Sequence, residues 1–181
     1  MERIKEKLKN ILLKKAVFLK EVVLSSGKKS NFYIDCRIVT LSPEGLYLVS
    51  KIIFEMIKNE NIDAIGGLTL GADPIVSGVC LISYIEKNPI NGFIVRNVKK
   101  EHGLEKIIEG NLKENWNVVI VDDVATTGSS ILKAIEVVEN YKCKVKKVIC
   151  IVDREEGAKE EIEKKGYKLE TIFKKSDLIS L

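Results

Sequence analysis

Histidine is almost missing from this sequence. One occurs, His102, and the four cysteines, Cys36, Cys80, Cys143 and Cys150, never form a CxxC pair. Zinc sites are assembled from clustered cysteine and histidine, so a resident metal of that kind is not expected. A secretory leader is missing too. The N-terminal stretch MERIKEKLKNILLKKAVF carries charge throughout and has no uninterrupted apolar core. The expected compartment is therefore the cytoplasm, where thiols stay reduced and act as packing residues. Long apolar runs are absent: the best, Pro74 to Ile85, falls short of the roughly 20 residues that cross a bilayer, which argues against a membrane partner. Nor is one sign of charge in large excess. Thirty Lys and Arg face 26 Asp and Glu, interspersed along most of the chain, for a net charge of +4. That describes a solvated surface rather than a nucleic-acid stripe, although a small basic bias helps attract a polyanionic substrate. Repeats, low-complexity runs and linkers are also absent, so residues 1–181 are expected to form one domain with a full core.

What the sequence does have is VVIVDDVATTGSS, Val118 to Ser130. Val118, Val119, Ile120 and Val121 read as a strand buried on both faces, as in a parallel sheet. Two carboxylates follow, Asp122 and Asp123, then a run of small or hydroxylated residues, then a helix with Ile131, Ile135 and Val138 on one stripe. A helix N-terminus offers unpaired N–H groups and partial positive charge to a phosphate. Gly128 allows close backbone approach, and Thr126, Thr127, Ser129 and Ser130 offer hydroxyl donors. Ionised carboxylates only accept hydrogen bonds, so they would repel that phosphate but suit two neighbouring hydroxyls of a ribose. Either half alone fits a bland reading, a buried strand with a solvated acidic turn or a plain Thr–Thr–Gly loop. Both halves in order describe a site for a ribose 5-phosphate.

The rest of the chain alternates helices and strands. Ile4, Leu8, Ile11 and Leu12 predict an amphipathic helix near residues 2–14. Val17 to Leu24 reads as a strand, Ser25 to Ser30 as a turn and Phe32 to Ile38 as a second strand. Ser42-Pro43-Glu44 is a helix start with N-cap, N1 proline and first-turn acid, and the helix is expected to run to about Asn59. Asp63 to Gly67 is the first core strand, followed by the loop Leu68-Thr69-Leu70-Gly71-Ala72-Asp73-Pro74 and a helix to Glu86. That loop reads equally as an anion cradle and as a short turn with Asp73 as N-cap and Pro74 at N1. Gly92 to Val95 is a short strand, and a polar loop runs from Arg96 to about Lys106, either a solvated loop or a charged lid over a leaving group. Ile107 to Gly110 is a candidate strand closing it. Val145 to Val152 is another buried strand, followed by Arg154, which is placed either to fork a carboxylate or to pair at the surface with Glu155 or Glu156. A helix near 158–165, a strand near Tyr167 to Phe173 and a final turn complete an α/β pattern with a mostly parallel sheet flanked by helices.

VVIVDDVATTGSS resembles the phosphoribosyl-pyrophosphate motif of the type I phosphoribosyltransferases. SSGKKSNFYIDCR, GGLTLGADP, the Arg–x–x–x–Lys–x–His–Gly loop and VDREEG are similar to the corresponding segments of the orotate phosphoribosyltransferase family. The likeness spans nearly the whole chain. Two departures stand out: Ser25 and Asn97 lie where many members have lysine.

The resemblance implies the type I fold with a small N-terminal hood over about residues 1–40 and a core over about 41–181. It implies transfer of a phosphoribosyl group from phosphoribosyl pyrophosphate to orotate, in the formation of UMP, with Mg²⁺ bound mainly through phosphoribosyl pyrophosphate. Asp122, Asp123, Val124, Ala125, Thr126, Thr127, Gly128, Ser129 and Ser130 would bind phosphoribosyl pyrophosphate, joined by Arg96, Lys100 and His102 of the lid. Arg96, Lys100, His102, Asp122 and Asp123 would carry the catalysis, and Thr126 and Arg154 would contact orotate. The family's lid reaches into a partner's site, which implies a homodimer. A purine phosphoribosyltransferase would share VDDVATTG but need neither the lid pattern nor Arg154, and a non-catalytic regulator would not need the intact acidic pair with a complete lid.

Overall fold

Four consecutive apolar residues, Val118 to Val121, are each at most 1% exposed, and the sheet is built outward from them. The computed structural model describes residues 1–18, 22–23, 29–30, 32–97 and 107–179. In chain order the elements are α1 (Glu2–Lys15), β1 (Val17–Phe18), β2 (Val22–Val23), β3 (Lys29–Ser30), β4 (Tyr33–Ile34), α2 (Arg37–Thr40), α3 (Pro43–Ile57), β5 (Ala64–Leu68), α4 (Ala72–Ile85) and β6 (Asn91–Val95). Then come β7 (Ile108–Gly110), β8 (Asn117–Ala125), α5 (Ser129–Asn140), β9 (Lys144–Asp153), α6 (Ala158–Lys164), β10 (Leu169–Lys174) and α7 (Lys175–Leu178).

The main sheet has the order β10-β9-β8-β5-β6-β7. All neighbours run parallel except β6 and β7, which pair antiparallel at the edge. Period-two alternation splits the sheet's side chains between two cores. Val119, Val121, Ile149 and Ile151 pack with α1, α3 and α4 on one face. Val118, Ile120, Val148 and Cys150 pack with α5 and α6 on the other. The chain builds β5 and β6 in one direction and β8, β9 and β10 in the other, so the order reverses between β5 and β8. An open α/β sheet binds its ligand at such a reversal, beyond the strands' C-terminal ends. No helix among the described residues is long and apolar enough to cross a membrane.

Three expectations change in detail. Within the predicted strand Val17 to Leu24, the described residues pair with different partners, Val17–Phe18 (β1) with β4 and Val22–Val23 (β2) with β3. The predicted strand Phe32 to Ile38 ends at Ile34, because Asp35 Oδ1 accepts from the Arg37 N–H at 3.1 Å and turns the chain into α2. Helix α4 begins at Ala72 with Gly71 as N-cap, not at Pro74 after an Asp73 cap, since Thr69 Oγ1 donates to Asp73 Oδ2 at 2.7 Å and engages that carboxylate. Proline is tolerated there because first-turn N–H groups have no intrahelical acceptor. The start of α3 is as read: Ser42 Oγ accepts from the Gly45 N–H at 3.3 Å, with Pro43 in the first turn.

Candidate active site

The central strand runs further than its apolar run. Strand β8 continues to Ala125 because β9 runs beside it as far as Asp153, and Asp122 pairs with Cys150, Val124 with Val152 and Ala125 with Asp153. The acidic pair therefore sits inside a rigid ladder rather than in a loop after it. Each carboxylate folds back on the next residue: Asp122 Oδ1 accepts from the Asp123 N–H and Asp123 Oδ1 from the Val124 N–H, both at 2.9 Å. Asp122 is buried, and burial together with the neighbouring Asp123 charge pushes its pKa up to about 8. Burial raises Asp123 as well, against the lowering pull of its hydrogen bonds and of the Arg37 charge. Two buried like charges resist simultaneous ionisation, so the pair holds a proton near neutrality. The nearby thiols of Cys36 and Cys150 are pushed up by burial and stay neutral, as packing residues should.

Across the reversal point lies the loop after β5. Thr69 N–H donates to Val95 O at 2.9 Å, the Thr69–Leu70 peptide is cis, and the chain enters α4 at Gly71. A Cβ placed on Gly71 would lie 2.4 Å from Asp123 Oδ1 and 2.8 Å from Asp122 Oδ1. Only glycine lets this loop and the acidic pair meet. The sequence marked the loop as an anion cradle or turn, but nothing in it revealed this contact, which joins residues fifty positions apart.

After Ala125 the chain turns through Thr126, half-buried, and Thr127, exposed, into Gly128 at φ +80°, a conformation that favours glycine. Helix α5 then starts at Ser129, and Thr127 Oγ1 donates to Ser129 Oγ at 3.3 Å. Ser130 lies in the first turn, where N–H groups lack intrahelical acceptors. A hydroxyl-bearing turn into a helix N-terminus thus follows directly on the acidic pair, an arrangement that could take an anion beside a diol.

The ends of the predicted lid meet at β6 and β7. Arg96 N–H donates to Ile107 O at 2.8 Å, and its half-exposed guanidinium lies 3.8 Å from Glu109. Asn97 Oδ1 accepts from Lys133 Nζ of α5 at 2.7 Å, tying the residue after Arg96 to the helix that Ser129 and Ser130 begin. Lys100 and His102 lie outside the described residues.

Arg154 follows β9, and its N–H donates to Ala125 O at 2.9 Å, placing it beside Thr126. The guanidinium is 5% exposed; Nη2 donates to Glu156 Oε1 at 2.7 Å and to Phe32 O at 3.3 Å. The ion pair foreseen at the surface exists, but Arg154's side of it is buried. Its carbon Cζ sits 5.8 Å from the centre of the Phe32 ring, so the segment leading into β4 forms one wall of this corner.

Comparison with known proteins agrees with this fold. Residues 40–177 match the family model described as phosphoribosyl transferase domain. The chain is 44% identical over 178 residues, 97% of each sequence, to the orotate phosphoribosyltransferase of Aquifex aeolicus. Among solved structures, that of Mycobacterium tuberculosis orotate phosphoribosyltransferase with Fe(III) dicitrate superposes with a TM-score of 0.84 at 32% identity, covering 98% of this chain and 99% of that one. The same enzyme in complex with 5-phospho-α-D-ribosyl 1-diphosphate gives 0.81 at 32% identity, covering 97% and 98%.

Proposed function

This chain belongs to the phosphoribosyl transferase family and, within it, to the orotate phosphoribosyltransferases, and we propose that it transfers a phosphoribosyl group from phosphoribosyl pyrophosphate to orotate, forming orotidine 5′-phosphate and pyrophosphate on the route to UMP. The observation that carries this reading is the succession, along one strand end, of a buried acidic pair and a helix-borne anion cradle at the sheet's reversal point.

In the reaction a ring nitrogen of orotate attacks C1 of the ribose, and the C1–oxygen bond to pyrophosphate breaks with its electron pair leaving on pyrophosphate. No protein nucleophile is needed. Asp122 and Asp123 accept the ribose hydroxyls and favour the cationic sugar as that bond stretches. Thr126, Thr127, Gly128, Ser129 and Ser130 cradle the 5-phosphate, held in place by Val124 and Ala125 of the ladder. Arg96 and Lys100 offset the charge gathering on the leaving group, and His102 hydrogen-bonds or protonates one of its oxygens. Arg154 forks the orotate carboxylate, exchanging part of its bond to Glu156, while the backbone near Thr126 orients the ring.

Magnesium enters this reading with the substrate. Among the described residues no three Asp, Glu, His or Cys side chains are grouped to hold a metal, whereas a site lined by two carboxylates suits an ion coordinated chiefly by phosphate oxygens and water. When bound it offsets negative charge on the departing pyrophosphate. A homodimer sharing lid residues is part of the same proposal, supported by the exposed Leu81, Tyr84 and Ile85 of α4, each more than 60% accessible. A cytoplasmic location completes it.

The test is orotate's ultraviolet absorbance with purified protein, phosphoribosyl pyrophosphate and Mg²⁺. The expected result is orotate loss that stops when phosphoribosyl pyrophosphate is omitted or the metal chelated. Turnover of a purine base in place of orotate would overturn the role of Arg154, and no turnover with any base would overturn the enzyme reading.

A further inference from the structure

The corner around Arg154 contains a second cation that the reading above leaves unused. Lys175, the first residue of α7, places Nζ 5.5 Å from the centre of the Phe32 ring, the ring that Arg154 also faces. Phe32 is only 2% exposed, so both cations border one buried aromatic wall. Its π face attracts and orients them.

The lysine is held there by its neighbour. Ser176 donates from both N–H and Oγ to the Glu155 carboxylate, at 2.9 and 3.1 Å. Glu155 is itself fixed, at φ +58°, with its N–H donating to Asp153 Oδ1 at 2.9 Å. Helix α7 is thereby anchored to the residue immediately after Arg154. The local acids are already engaged: Glu156 with Arg154, Glu155 with Ser176, and Asp177 with the Lys174 N–H at 2.7 Å. Lys175 is half-buried and, among the described residues, has no carboxylate within ion-pair distance.

Charge counting then separates the two cations. Glu156 already offsets Arg154, so an incoming carboxylate would meet a nearly neutral pair. The charge of Lys175 has no such offset, and the low-dielectric wall of Phe32 preserves its reach. We propose that Lys175 is a specificity-determining residue of the base site, a second cation that draws the carboxylate of the base into the corner and favours its exchange with Glu156 on Arg154. This rests on the orotate reading and names a residue from the C-terminal turn as part of substrate selection.

The test is steady-state kinetics on Lys175→Met and Lys175→Arg, with each substrate varied in turn. Lys175→Met is expected to raise KM for orotate about tenfold, equivalent to about 1.4 kcal/mol, while KM for phosphoribosyl pyrophosphate and kcat at saturation stay within about twofold. Lys175→Arg is expected to restore most of the loss, and added salt should raise wild-type KM for orotate more steeply than that of Lys175→Met. Uracil, which lacks the carboxylate, should inhibit the wild type and Lys175→Met with equal constants. An unchanged KM for orotate in Lys175→Met would overturn the proposal. So would a parallel rise in both KM values with a drop in Tm, which marks a merely structural lysine behind Phe32. Failure of the wild type to consume orotate would instead overturn the reaction, and this proposal with it.

Discussion

Strands β8 and β9 are neighbours, and each delivers charge to the same edge of the sheet in an opposite manner. At the end of β8 two carboxyls of like charge are buried together, with raised pKa values and glycine pressed against them. At the end of β9 a buried arginine is matched by a glutamate, and an aromatic ring backs it. The first arrangement costs the free protein stability and, in the proposed reaction, would become favourable when hydroxyl donors arrive. The second is satisfied beforehand and, in the same proposal, would trade a partner to bind. A strained pair suits a group whose task is to follow charge developing on the substrate, and a satisfied pair suits recognition of a charge that does not change.

The comparison breaks most sharply at the acidic pair. Asp123→Asn is expected to lower kcat/KM by about a hundred- to a thousandfold, since a carboxylate facing the sugar is replaced by a neutral amide. The same substitution should raise Tm, because it relieves a like-charge pair that only the ligand uses. Kinetics and thermal unfolding on one preparation check both signs, and a fall in Tm would show that the pair is not under electrostatic strain. At the other corner Arg154→Gln should behave oppositely. It is expected to raise KM for orotate by about fiftyfold, leave KM for phosphoribosyl pyrophosphate near the wild-type value, and lower stability by about 1–2 kcal/mol as Glu156 loses its partner. Thermal scans that moved the same way for both variants would erase the distinction. Gly71→Ala sharpens the comparison from the loop side. Its methyl would press on both carboxylates, so KM for phosphoribosyl pyrophosphate should rise about tenfold while KM for orotate changes little.

How much of this was legible in the sequence follows from how local each feature is. The order of strands and helices, the Ser42-Pro43 helix start and the small-residue turn into α5 are written in short-range signals, and the structure follows them to within a few residues. The acidic pair was legible as chemistry but not in its setting. Its place inside the β8–β9 ladder depends on the length of β9, which a reader of Val118 to Ser130 does not see. Among the described residues of the hood, Val17–Phe18 and Val22–Val23 pair with different partners, which the single apolar run Val17 to Leu24 does not announce. Three features have no local signal: Gly71 against the two carboxylates, Phe32 under Arg154, and Lys175 on the same ring. Each joins residues far apart in the chain through close packing, which no periodicity or motif encodes.

The smallest effect concerns pH and separates the two corners without any substitution. Burial and Asp123 raise the folded pKa of Asp122 to about 8, above its unfolded value near 3.9. Its contribution to stability is therefore fully present below about pH 4 and is lost as pH rises through about 8, so this group makes the free protein less stable across that window. The ligand feels the reverse. In the proposed reaction the ribose diol is held best by the ionised pair, which has acceptors only, so a proton would leave when phosphoribosyl pyrophosphate binds. Between pH 7 and pH 8 its affinity is expected to rise about fivefold, the gain for one group titrating near 8. Titration calorimetry in buffers of different ionisation enthalpy should detect release of a fraction of one proton at pH 7, falling toward zero by about pH 9.5. Orotate binding at the Arg154 corner, where the pairing is already made, should release none of it. Binding of phosphoribosyl pyrophosphate at pH 7 without proton release, or with an affinity flat from pH 7 to 8, would show that the pair at the end of β8 is already ionised in the free protein, and that the two strand ends differ in partner but not in readiness.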